Sequence, residues 1–358
     1  MPEMLPVQYV KFNTKRCFGI ELEVIKSKTL DELVQVVRLT DSKHHVMGTN
    51  HYQQDSGNDY WHVKFDRSCG TKPQEGGWEV ASYKASGAAD LIKLANMGDT
   101  LKKNGAQVND NCGYHIHVEI ADFNTSQAAT LMANWMKMER LLIEILPKGR
   151  RNNVYCRLLN DLKPVSAVQA KNVDTFWSKV RPLSLENSER RVSLNMGNYV
   201  HSGASKKTVE LRLPEGTLDS KEIKNWARMF IHFANTCRTM PFPGNITPYQ
   251  NLKEMLTGLG LHNEEPFFIL SKGLYETKTW FLERIIKYGT NKVLRTETEK
   301  MLSFLIPPCP EDRVEETKSK LKEDVEKLKE SLKKKRSLKK RTTPVKSDYW
   351  SAYEDNDY

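Results

Sequence analysis

The chain has 358 residues, 39% of them hydrophobic and 28% charged, with a formal net charge of +10. That length supports a large buried core, while with no apolar run near the ~20 residues of a membrane helix and no signal-peptide core in MPEMLPVQYVKF, neither membrane insertion nor secretion is expected. Eight Lys/Arg and no acids fall between Ser331 and Lys346 and four acids follow them, so the first 330 residues carry only +6, a mild excess over a large surface that says little about function.

In chain order, short β-rich runs alternate with longer amphipathic ones. The first strand is read over 17–25 (CFGIELEVI) and a helix over 30–38. Strands follow at 61–66 (WHVKFD) and 77–82 (GWEVAS), then a helix at 86–103. A strand at 114–120 (YHIHVEI) precedes a long helix at 126–146, for which Thr125 is the expected N-cap. Two strands, 191–197 and 207–213, flank a hairpin-like loop from Tyr199 to Lys206. Asp219, with Glu222 three residues on, marks the start of a helix over 220–240 as a capping box. Beyond Met240 the reading is helical, with helices at 276–288 and 296–305 between proline breaks. The irregular spacing favours an α+β fold: a largely antiparallel sheet with helices on its outer side.

Three regions are expected: a catalytic core over 1–240, a helical extension over 241–310 packed on it, and a charged helix with a partly disordered tail over 311–358. From Val314 the positions Leu321, Val325, Leu328 and Leu332 fit an a/d pattern, interrupted at Lys318, which is too short to read as a coiled coil. The basic run at 333–346 has no interleaved aromatic, so no specific nucleic-acid site is expected there. Six cysteines without a CxxC pair read as reduced thiols in a cytoplasmic setting. Cys112 with His115 and His117 forms C-x2-H-x-H, but no second Cys/His cluster completes a structural zinc site. His44, His45, His51 and His62 surround a Gly/Asn/Asp/Gln-rich stretch and read by default as surface or satisfied histidines, with a loop over the site as the other option. No P-loop is present.

The chemistry lies in which residues share a face. Side chains alternate along a strand. Glu21 and Glu23 therefore face one way, against Ile20, Leu22 and Val24. His115, His117 and Glu119 share a face, as do Glu210 and Arg212, and Arg191, Ser193 and Asn195; Glu79 sits between Trp78 and Val80. A plain wet face would be filled with Lys, Thr, Gln and Ser. These strands instead collect carboxylates two residues apart, which repel unless a cation lies between them. The residue types alone point to a metal-and-phosphate site. A metal-dependent hydrolase, with His115-x-His117 and carboxylates, and a non-catalytic binding protein are the competing readings.

These segments resemble the amidoligase family, carboxylate–amine ligases related to glutamine synthetase and glutamate–cysteine ligase. The matching stretches are Phe18-Gly-Ile-Glu-Leu-Glu-Val24, Val63-Lys-Phe-Asp-Arg-Ser68, Gly77-Trp-Glu-Val-Ala-Ser82, Cys112-Gly-Tyr-His-Ile-His-Val118, Arg191-Val-Ser-Leu-Asn195 and Thr208-Val-Glu-Leu-Arg-Leu-Pro-Glu-Gly-Thr-Leu-Asp219. The resemblance runs from Phe18 to Asp219, with Arg67 where the family commonly has Gly. It implies a curved sheet whose concave face holds ATP, Mg2+ (or Mn2+) and a carboxylate. In such enzymes the carboxylate attacks the γ-phosphate, and an amine captures the acyl phosphate to give a peptide or isopeptide-like amide. Glu21, Glu23, Glu79, His115, His117 and Glu210 are then the metal-ligand candidates. Arg212, Arg191 and Asp66 are the catalytic candidates, and Asn195 and Ser82 the substrate-binding ones. The partners implied are small-molecule or peptide carboxylates and amines; homo-oligomerisation stays open.

Overall fold

A computed structural model describes residues 8–13, 15–25, 29–50, 59–70, 77–163, 172–184, 191–201, 206–244, 246–262 and 268–305, together with 319, 323, 326, 327 and 330. The charged helix and tail expected beyond 311, His51, and the centre of the 199–206 loop lie almost wholly outside the described residues.

Strands β1 (Gln8–Val10), β2 (Phe18–Val24), β3 (His45–Thr49), β4 (Tyr60–Phe65), β5 (Trp78–Ala81), β6 (Tyr114–Glu119), β7 (Leu194–Asn195), β8 (Thr208–Leu211) and β9 (Phe268–Leu270) form two sheets. The larger has the order β3-β4-β5-β2-β6-β8-β7 and is antiparallel except at β3–β4. β1 and β9 pair parallel to each other as a separate ribbon. The helices are α1 (Leu30–Thr40), α2 (Gly87–Lys103), α3 (Thr125–Leu142), α4 (Lys148–Arg151), α5 (Leu159–Leu162), α6 (Val173–Val180), α7 (Gly197–Val200), α8 (Ser220–Thr239), α9 (Leu252–Gly258), α10 (Lys272–Tyr288) and α11 (Lys292–Leu302).

The alternation seen in the sequence becomes two faces with different tasks. Ile20, Leu22 and Val24 of β2, Ile116 and Val118 of β6, and Val209 and Leu211 of β8 are buried in one core with the apolar residues of α2, α3 and α8. Tyr114 Oη, at the start of β6, donates to the Ile223 carbonyl of α8 (3.0 Å). The α2–α8 approach is close: a Cβ on Gly98 would lie 2.3 Å from Ile223 Cδ1 and 3.0 Å from the Leu218 carbonyl oxygen, so a larger residue there would force the crossing to give.

Several expectations are corrected. The N-cap of α3 is Asn124, which forms a capping box with Gln127, rather than Thr125, which is the first helical residue. Asp219 does cap α8, accepting from the backbone of Lys221 and Glu222, but Glu222 turns away to Trp280 and Arg284. The strand expected over 191–197 shrinks to Leu194–Asn195, and the chain then makes α7 where a hairpin loop is expected. The region beyond Met240 contains strand β9. His45 belongs to edge strand β3 rather than a loop, while His44, on the turn between α1 and β3, is a satisfied histidine as expected: its Nδ1 meets Asp41 Oδ2 at 2.8 Å and its ring stacks on Tyr83.

α10 locks onto the core through charged groups as well as apolar ones. Arg284 pairs with Glu215, just beyond β8, and with Glu222 of α8, while its Nε donates to the Ile145 carbonyl (2.8 Å). Trp226 and Trp280 meet edge to face beneath it, with ring centroids 5.3 Å apart.

Candidate active site

The face opposite the helices gathers ligand-type side chains because neighbouring strands hold them in register. Glu21 is paired with His115 and with Ala81, Glu23 with Glu79, and Glu79 in turn with Lys64. One step along, His117 pairs with Glu210 and Glu210 with Asn195. The result is a charged patch that is largely shut off from water: Glu23, Glu79, His115, Glu210 and Asn195 are all buried.

Three residues converge most tightly. The ligand atoms of Glu21, His115 and Glu210 all lie within 4.8 Å of one another. Glu21 bridges two imidazoles, meeting His115 Nδ1 at 3.1 Å through one oxygen and His117 Nε2 at 3.1 Å through the other. Glu210 is held from two sides: Asn195 Nδ2 donates to one oxygen (2.8 Å) and Arg212 Nη1 to the other. Asn195 is itself fixed by accepting from Gly197 N (2.8 Å) at the start of α7. Two carboxylates and an imidazole form a nitrogen–oxygen donor set that suits a divalent cation.

The electrostatics are set by burial working against opposite charge. Burial pushes the Glu21 carboxyl up, but His117 and the hydrogen bonds from both imidazoles outweigh it and hold it well below the ordinary range. Reciprocally, burial lowers His117, yet the charge of Glu21 carries its imidazole above its usual value. Burial also raises Glu210, which Arg212 and His117 overcome, leaving it lowered. Glu79 moves the other way: burial and the Glu21 charge push it well above the usual carboxylate range, against the pull of Lys64.

The sequence candidates thus divide. Glu21, His115, His117, Glu210, Arg212 and Asn195 are brought together. Glu23 lies on the same face, but one oxygen accepts from Gly113 N (2.6 Å) and the carboxylate adjoins Asp66 and Cys69. Glu79 forms an ion pair with Lys64 Nζ (2.8 Å), a side chain already occupying the place of a cation. Asp66 accepts from the backbone and hydroxyl of Ser68, both at 2.7 Å. Two candidates stay outside. Arg191 is exposed and its guanidinium stacks on Tyr155, 5.0 Å from the ring centroid. Ser82 braces the backbone instead, accepting from Ile20 N and donating to the Tyr83 carbonyl, each at 2.9 Å. Glu119 sits apart as well, paired with Lys84.

Lys64 and Arg150 are the residues that sequence reasoning passed over. Lys64 was within reach, since it shares a face with His62 on β4. Arg150, on the single turn of α4, carried no signal. Its Nε and Nη2 donate to the carbonyls of Leu213 (3.2 Å) and Arg212 (2.7 Å), bracing the backbone under Arg212, while its Nη1 is buried with no hydrogen-bond partner among the described residues. The Nε of Arg212 is likewise buried without one.

A family model described as "Putative amidoligase enzyme" matches residues 14–234. No curated protein sequence matches the chain. Among solved structures, a novel glutamine synthase homolog aligns with 82% of this chain and 68% of its own, at 11% identity and a TM-score of 0.34. An apo form of GmaS without ligand aligns at 12% identity over 82% and 70% of the two chains, with a TM-score of 0.30. A GmaS/ADP complex does so at 13% identity over 82% and 71%, with a TM-score of 0.31. The family match takes in every strand of the larger sheet and all the side chains gathered on its charged face; the chain belongs to the amidoligase family.

Proposed function

We propose that the chain is an ATP-dependent carboxylate–amine ligase that makes an amide through an acyl phosphate. Condensing a free carboxylate with an amine is uphill in water, so the carboxylate needs an activating group. Attack of its oxygen on the γ-phosphorus of ATP releases ADP. Attack of the amine nitrogen on the acyl carbon then expels phosphate, and the amine proton leaves to a base. The observation that carries this reading is the convergence of Glu21, His115 and Glu210 beside Arg212, within the span of a family of amide-forming ligases.

Glu21, His115 and Glu210 would hold a divalent cation, magnesium with manganese as a substitute, which neutralises phosphate charge when bound. Arg212 contributes the other positive charge. Burial opposes its ionised form, but Glu210, Glu23 and Glu21 more than compensate, so it stays a guanidinium under all working conditions. With Nη1 spent on Glu210, its buried Nε is a donor still to be satisfied, suited to an oxygen of the transferring phosphoryl group. Asn195 orients Glu210 rather than substrate, since both ends of its amide are already engaged.

The test is ADP release by the full chain with Mg2+ and ATP against pooled amino acids and peptides, followed by mass spectrometry of the product. The expected result is ADP formation that depends on both a carboxylate and an amine, with a product lighter by one water than the sum of the two. Amide cleavage without ATP would instead establish a hydrolase.

A further inference from the structure

Between α6, α7 and the segments that follow β6 and precede β8, the chain leaves a cavity of about 370 Å³. Phe123, Trp177, Tyr199 and Val200 form its apolar walls, and two cations, Arg181 and Lys207, line it with them. None of these residues belongs to the Glu21–His115–Glu210 group. The volume falls at the small end of the roughly 300–1,000 Å³ typical of small-molecule sites.

The rings are held in place by the fold itself. Phe176 and Val180 bury one face of α6 in the core, with Phe176 packed on Phe242 at 5.4 Å between ring centroids. That leaves Trp177, half-buried, on the cavity side. Its ring meets Tyr199 edge to face, 6.2 Å between centroids, and Tyr199 Oη donates to the Phe123 carbonyl (3.1 Å). The polar groups left over are donors. Lys207 Nζ donates to the carbonyls of His201 (2.9 Å) and Tyr199 (3.4 Å), which leaves one of its three hydrogens. Neither the Arg181 guanidinium nor the Trp177 indole N–H has a hydrogen-bond or ionic partner among the described residues. No carboxylate lines the cavity, and Asp122, which adjoins Phe123 in the chain, is already paired with Arg16 and Arg238.

We propose that this cavity is a binding site for an aromatic carboxylate, a small molecule that carries a flat ring and a carboxylate group. The ring lies against Trp177, Tyr199 and Phe123, which offer the offset and edge-to-face contacts that flat rings prefer. The carboxylate meets Arg181, whose fork can hold both of its oxygens, with Lys207 and the Trp177 N–H as further donors. The same inventory separates such an acid from a nucleotide. A nucleobase edge carries donors that need acceptors, whereas a carboxylate only accepts and the uncommitted groups here only donate. The site goes beyond the ligase reading and does not rest on it, although the two regions share α7: Gly197 at its start fixes Asn195, while Tyr199 and Val200 line the cavity.

The experiment is a calorimetric titration of the full chain, without ATP or metal, with N-acetyl-L-phenylalanine as the probe. The probe should bind at one equivalent. N-acetyl-L-phenylalaninamide keeps the ring and loses the charge, and N-acetyl-L-alanine keeps the charge and loses the ring; each should bind roughly tenfold more weakly. Arg181 is exposed, so Arg181→Gln should keep the fold, which its thermal midpoint checks, and should weaken the probe about tenfold. AMP at saturation should leave the affinity for the probe unchanged. No binding by the wild-type chain, equal binding of the amide or of the alanine analogue, an unchanged affinity in Arg181→Gln, or displacement by AMP each overturns the site. None of these readouts involves ligase turnover, so this proposal and the functional one fail independently.

Discussion

Arg212 and Glu21 carry opposite charges into the same buried patch, and their replacement should have different signatures. Arg212→Lys keeps a positive charge but not the fork that serves Glu210 with one nitrogen and leaves its buried Nε unsatisfied, the donor proposed for a phosphoryl oxygen. Losing a contact that strengthens as charge develops costs ~10²–10³ in rate, roughly 3–4 kcal/mol. Single-turnover phosphoryl transfer should therefore fall by that factor while nucleotide binding changes little; the reverse pattern would make Arg212 a ground-state anchor. On the proposed function, Glu21→Gln should abolish ADP release, since Glu21 is one of the three residues that would hold the cation. It should also destabilise the metal-free protein by roughly 1–3 kcal/mol, because buried His115 and half-buried His117 lose the carboxylate that both imidazoles meet. Carboxylate repulsion alone, as read from the sequence, gives the opposite sign; the two imidazoles on Glu21 reverse it. Urea unfolding in the presence of a chelator measures the difference.

Among the elements, those with a clear period were legible in the sequence and those without one were not. β2, β6 and β8 alternate strictly, and their faces follow residue by residue. β1 and β9 are three residues long and β7 two, too short for any period, and each exists because a partner strand is present. α4 is a single turn, so Arg150 was invisible. Caps depend on local geometry that composition underdetermines: Asn124 and Thr125 are both good caps, and the box with Gln127 decides between them. Asn124→Ala should cost about 1 kcal/mol, and Thr125→Ala a few tenths at most; thermal unfolding of the two variants separates them.

For the molecule as a whole, acid stability should be governed partly by His232, where α8 meets the turn after α9. Its Nε2 donates to the carbonyl of Gly260 (2.9 Å), a residue at φ +73° where a Cβ would strike Thr236. Burial pushes the imidazole down to about 4 against that hydrogen bond. Between pH 6.5 and 4 the unfolded chain therefore binds a proton that the folded chain does not. Stability is full above this window and is lost as pH falls through it, by about 3 kcal/mol in all. His232→Gln should flatten that part of the urea-midpoint profile; an unchanged slope would place the titrating group elsewhere. The strand order has a separate consequence, for how the chain is made. β2 occupies the middle of the larger sheet, yet its neighbour β6 starts 90 residues beyond its end and β8 a little more than twice that. A nascent chain displays Glu21, Glu23 and Glu79 well before Arg212 is synthesised, so the half-built face is an acidic surface with its arginine still missing. Closing it means paying the entropy of long loops before any attraction is gained. Refolding should accordingly be slow, and faster in salt that screens those acids.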